Sequence, residues 1–145
     1  MAAVSGHDAI DQEQALDPKG LTARDSVRFW RDRRFDDLEC LEARFHRHVY
    51  APHVHDTYAL GVIEAGVEHY RYRGEDHAVG PGELVILDPH ELHDGRPGPD
   101  GYRYRMMYPT PDLMGEIAEE IWETPQAAPH FPEPALRDPL LARHI

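Results

Sequence analysis

From Leu41 to Tyr108 the chain keeps breaking short apolar runs with glycine- and proline-rich punctuation, and this rhythm limits the possible folds more than any other feature. Leu41, Ala43 and Phe45 alternate with Glu42, Arg44 and His46, the two-residue period of a half-buried strand. Thr57 to Ile63 is rich in apolar and β-branched residues, Glu64-Ala65-Gly66 interrupts it, and Val67 to Arg73 resumes with Tyr70 and Tyr72 on one face; the pattern predicts a hairpin. Gly74-Glu75-Asp76 marks a further turn before a short strand at His77 to Val79. Gly80-Pro81-Gly82 marks a tight reversal before the strand Glu83 to Leu87, which Asp88-Pro89 ends. The stretch Gly95 to Gly101 reads as a loop, and Tyr102 to Tyr108 as a last strand with Tyr102, Tyr104, Met106 and Tyr108 on one face. Short strands at this spacing make the fold mainly β, a sandwich or small barrel, and a jelly-roll barrel fits the count.

Outside that region the rhythm changes. Leu113, Ile117 and Ile121 fall four apart with Met114, Ala118 and Trp122 beside them, which predicts an amphipathic helix within residues 110–123. Prolines 125, 129, 132, 134 and 139 forbid a continuous helix after it, so residues 124–145 read as a linker. Residues 1–25 are polar and lack a sustained period, which predicts a flexible leader ahead of a barrel over residues 26–109.

A length of 145 residues suits one domain, and 41% hydrophobic with 29% charged residues is ordinary for a globular chain. No apolar run approaches the roughly 20 residues of a membrane helix. The start of the chain lacks the basic and apolar regions of a signal peptide, so the expected location is cytoplasmic. Cys40 stands alone and agrees with a reducing compartment. The formal net charge of -12 argues against direct contact with a nucleic-acid backbone.

Eleven histidines are many for this length, and spacing separates them. His53 and His55, two apart on a strand, project from the same face, and a barrel can bring His93 to them. Three neutral imidazoles suit zinc, nickel, copper or ferrous iron with a position left for water or ligand. They equally suit hydrogen bonding to backbone or to a polar ligand, with Asp56 and Asp94 placed to orient them. His46, His48, His69 and His77 fall on outward positions or turns. Tyr58, Tyr104 and Arg105 are further ligand-binding candidates: the tyrosines by their polar tips, Arg105 by bidentate pairing with a carboxylate. Packing for the tyrosines and a solvated face for the arginine is the plainer alternative.

Five segments in order, Pro52-His53-Val54-His55-Asp56-Thr57-Tyr58, Gly61 to Gly66, Tyr70 to Gly74, Pro81 to Gly95 and Tyr104 to Pro109, resemble the N-terminal cupin of AraC-type regulators. The resemblance covers roughly residues 26 to 122. It implies a cupin barrel that senses a small-molecule effector, then a dimerisation helix, which residues 110–123 would begin, then helix-turn-helix motifs that read DNA. The last are expected to be absent here, so DNA would be reached only through a missing C-terminal domain. A homodimer without membrane association is implied, and not an enzyme.

Two departures from the metal-binding cupin pattern stand out. The glutamate expected five residues after the second histidine is Leu60, and the second motif, Pro89 to His93, is one residue short. A divalent transition metal, zinc or nickel, on His53, His55 and His93 remains the one cofactor to consider. The alternative function is a stand-alone metal-dependent cupin enzyme using those histidines.

Overall fold

The computed structural model describes residues 7–145. In chain order the elements are α1 (Gln12–Ala15), β1 (Ser26–Asp32), β2 (Leu38–Phe45), β3 (Tyr50–His53), β4 (Ala59–Tyr72), β5 (Glu75–Val79), β6 (Glu83–Leu87), β7 (His93–Tyr108), α2 (Pro111–Trp122), β8 (Ala135–Arg137) and α3 (Pro139–Ala142). The strands join antiparallel in the order β1-β2-β7-β4-β6-β8, with β3 also on β7 and β5 also on β4. Inward side chains fill the interior, among them Leu41 and Phe45 from β2, Tyr70 and Tyr72 from β4, and Tyr104 and Tyr108 from β7.

Two long bent strands replace the shorter pieces expected from the sequence. Glu64-Ala65-Gly66 is not a hairpin turn: β4 runs on through it while its register against β7 slips between Ile63 and Ala65 and again between Gly66 and Glu68. An extra residue in one strand bends it without ending the pairing, so a glycine there marks a bulge rather than a reversal. The stretch Gly95 to Gly101 is likewise strand, with Pro97 opposite Glu68 and Gly66 opposite Tyr102. Gly66 and Gly101 both have left-handed backbone, φ +72 and +74. A Cβ on Gly66 would lie 2.0 Å from the Gly101 carbonyl oxygen, and one on Gly101 2.4 Å from that of Phe45. Only glycine lets β2, β4 and β7 approach this closely at the bend.

The segment expected to be a flexible leader is packed in its described part; Met1 to Gly6 lie outside the described residues. Ile10 donates its amide to the Val54 carbonyl at 2.9 Å. Asp11 caps α1, and the buried Glu39 carboxylate accepts the Gln12 and Glu13 amides at 2.9 and 3.2 Å. Those amides are the unpaired donors that every helix start presents, and a buried acid satisfies them.

The linker expectation for residues 124–145 is corrected in the same way. Its strand β8 pairs with β6, placing Leu136 opposite Leu84. The Tyr58 hydroxyl donates to the Pro129 carbonyl and Tyr70 to Pro134 at 3.0 Å, while the Phe131 amide donates to Asp88 at 3.0 Å. Prolines prevent helix, so the carbonyls of this strap stay free to accept bonds from the barrel. The helix α2 forms where periodicity places it, capped by Thr110, whose hydroxyl accepts the Leu113 amide at 3.1 Å.

Candidate metal and effector site

His53 ends β3, His93 opens β7, and the two stand opposite each other in the ladder. His55 follows two residues after His53 and keeps the same inward face. All three are buried, with ring centroids 4.4 to 5.1 Å apart and one ligating atom of each within 4.8 Å of the others. Thus the three histidines singled out by spacing are brought together.

Their protonation follows from their neighbours. Nδ1 of His53 lies 2.6 Å from the Ala51 carbonyl oxygen, that of His55 2.6 Å from Ile10, and that of His93 2.9 Å from Glu91. A carbonyl oxygen only accepts, so each Nδ1 must carry the hydrogen, which leaves each Nε2 a bare lone pair. Nε2 of His53 and of His55 is buried without a partner among the described residues. Burial lowers the pKa of His53, that of His55 to about 4, and that of His93 to about 3, where the two neighbouring imidazoles add to the effect. Neutral imidazoles with converging lone pairs and their far nitrogens held by backbone fit a transition-metal ion. Asp56 and Asp94, expected to orient the rings, do not: backbone carbonyls take that place, and Asp94 accepts the Arg71 amide at 2.7 Å.

Behind His53 and His93 lies a cavity of about 30 Å³, bordered also by Gln12, Tyr50, Glu68 and Tyr104. It holds on the order of two waters at about 10–15 Å³ each. Tyr104, as expected, faces this interior and donates to the Tyr50 hydroxyl at 3.0 Å. Tyr58 does not join the site, because its hydroxyl is turned to the strap and its ring packs on Phe131. Nor does Arg105, because strand alternation sends it to the opposite face from Tyr104, where it pairs with Glu64. Leu60, half-buried on β4, lies opposite Met107.

Two residues that sequence reasoning passed over, and one that it misplaced, matter here. Glu68 is buried and shares an inward face with Tyr70 and Tyr72, a parity visible in the sequence. Burial, and secondarily Asp94, pushes its pKa up to about 8. Gln12 reaches the cavity from the leader, and no sequence signal points to it. His48, placed on an outward position or turn by its sequence context, is instead buried against Phe45 and Tyr50. It sits outside the metal cluster, beneath Gly20.

An antiparallel barrel of this topology, holding three imidazoles within it, is a cupin. Solved structures agree on the fold: a cupin-like protein from Thermotoga maritima superposes with a TM-score of 0.57 at 15% identity, covering 73% of this chain and 84% of that one. The cupin domain of an XRE family transcriptional regulator from Enterobacter cloacae gives 0.52 at 14% identity, covering 61% of this chain and 98% of that one. Residues 36–145 match the AraC-like ligand binding domain, and the chain belongs to that family. A relative from Bacillus subtilis (strain 168), the uncharacterized HTH-type transcriptional regulator YbfI, is 31% identical over 74 residues, 48% of this chain and 26% of its own length. The match therefore spans about a quarter of that relative. No helix among the described residues is long and apolar enough to cross a membrane.

Proposed function

We propose that this chain is the effector-sensing and dimerising part of an AraC-type transcriptional regulator, in which a small molecule enters the barrel beside a metal held by His53, His55 and His93. The observation that carries the reading is the way the leader is built into the site. Ile10 fixes the His55 ring through its carbonyl, and Gln12 borders the cavity. A cavity of about 30 Å³ is far below the roughly 300 Å³ or more of common ligand pockets, so an effector larger than a few atoms displaces Gln12. Such a ligand distinguishes two positions of the leader, which is what a sensor requires.

The three histidines would hold zinc or nickel through Nε2, and a bound ion would offer an open coordination position and Lewis acidity. The protein holds the rings in one tautomer and keeps them neutral. Leu60, in place of a fourth acidic ligand, favours sensing over the alternative of a metal-dependent cupin enzyme. The acidic surface leaves DNA contact to a separate helix-turn-helix region of such a regulator. A cytoplasmic location accords with that role.

Elemental mass spectrometry of the purified protein tests the metal. About one equivalent is expected, lost in His55→Ala and kept in His69→Ala; a folded protein that takes up none after incubation with zinc removes the ion from this reading. Native mass spectrometry after exposure to a metabolite extract tests the sensor. A retained compound recovered unchanged supports sensing, and its chemical conversion would make the chain an enzyme.

A further inference from the structure

In the metal-free barrel the ionisable side chains on the cavity, apart from the neutral His53 and His93 imidazoles, are acids and phenols. Glu68 and Asp94 border it, and no lysine or arginine does. Asp94 is engaged by the Arg71 amide, whereas Glu68, 8% exposed, has no hydrogen-bond partner among the described residues. An inward carboxyl on a central strand without a partner stabilises nothing in the fold. Space is nevertheless reserved for it, since a Cβ on Gly95 would lie 3.0 Å from its Oε1. Around the same cavity stand the rings of Tyr50, Tyr70, Tyr104 and Tyr108. Burial holds all four phenols well into the protonated form, so none supplies a competing anion.

An ionised Glu68 among aromatic rings is complementary to a cationic nitrogen: the acid supplies charge and a hydrogen-bond acceptor, and the rings an electron-rich surrounding. In the metal-free barrel an organic acid would meet two carboxyls and no lysine or arginine. We propose that the effector presents an ammonium group to Glu68 and belongs to the small organic amines. This rests on the reading that the barrel interior is where the effector binds.

The test compares three probes of similar size and different charge, ethylammonium, ethanol and acetate, by NMR titration of the tyrosine resonances. Protein dialysed against a chelator excludes direct bonding of nitrogen to a metal, and about pH 8.5 keeps the amine charged. Saturable binding of ethylammonium is expected, at least about tenfold tighter than ethanol, with Glu68→Gln abolishing that advantage and leaving ethanol as before. Acetate binding as well as ethylammonium, or a Glu68→Gln protein with undiminished preference for the amine, overturns the amine class and leaves the interior as a binding site. Failure of all three probes in the folded protein counts against the interior site itself and takes the inference with it.

Discussion

Glu68 and the three imidazoles titrate in opposite directions because burial always disfavours the charged form. Folding raises the Glu68 pKa from an ordinary 4.5 to about 8, so the folded chain holds that proton more tightly than the unfolded one. Its contribution is therefore neutral below the lower value, becomes a growing penalty as pH rises through the interval, and is complete above about 8. Glu68→Gln should equal the parent in stability near pH 4 and exceed it by up to about 5 kcal/mol near pH 9, at about 1.4 kcal/mol per unit. Denaturant melts at the two pH values check this, and a constant difference would show that the carboxyl is solvated. The same parity that brought His53 and His55 to one face was legible for Glu68 beside Tyr70 and Tyr72. An acid at an inward position is an exception to alternation, and that masks the pattern. The burial of His48 had no such signal, since it depends on Gly20 arriving from a distant part of the chain.

Among the elements, strand identity was more legible than strand extent. β2 and the second half of β7 follow from alternation, β6 from an apolar run bounded by Gly80-Pro81-Gly82 and Asp88-Pro89, and α2 from its four-residue spacing. The bends in β4 and β7 were invisible because a glycine at φ +72 serves a bulge as well as a turn, and only the pairing partner decides. β1, β3 and β8 carry too little apolar contrast to announce themselves. The leader illustrates the point most sharply: its polar residues dock through amides, which composition does not display. Two of those amides converge on Glu39, whose own pKa is raised by burial despite them. Glu39→Ala should speed hydrogen exchange at Gln12 and Glu13 by at least about tenfold while the barrel amides keep their protection. Unchanged exchange would show that the leader is held without Glu39, by contacts such as those of Ile10 with Val54 and His55.

Over the whole molecule, the mainly β architecture and the histidine cluster were readable, whereas the way both flanks close over the barrel was not. What the flanks leave open is an apolar stripe on α2. Ala118 is its one buried residue, while Ile117, Ile121 and Trp122 are 42%, 65% and 62% exposed. Exposed apolar residues grouped on one helix face suit a second copy. Light scattering at tens of micromolar should give a dimer, and the double substitution Ile121→Asp with Trp122→Asp a monomer of unchanged melting temperature. A monomeric parent would exclude α2 as the dimer contact.

The three residues of β8 have a consequence for how the molecule behaves in a crowd. Without them β6 would present a row of unsatisfied amides and carbonyls, the template on which another chain's strand can add. Ala135 to Arg137 occupy that row from Glu83 to Val85. The strap thus guards the β6 edge against aggregation, and thinly, since a few local hydrogen bonds separate a covered edge from an adhesive one.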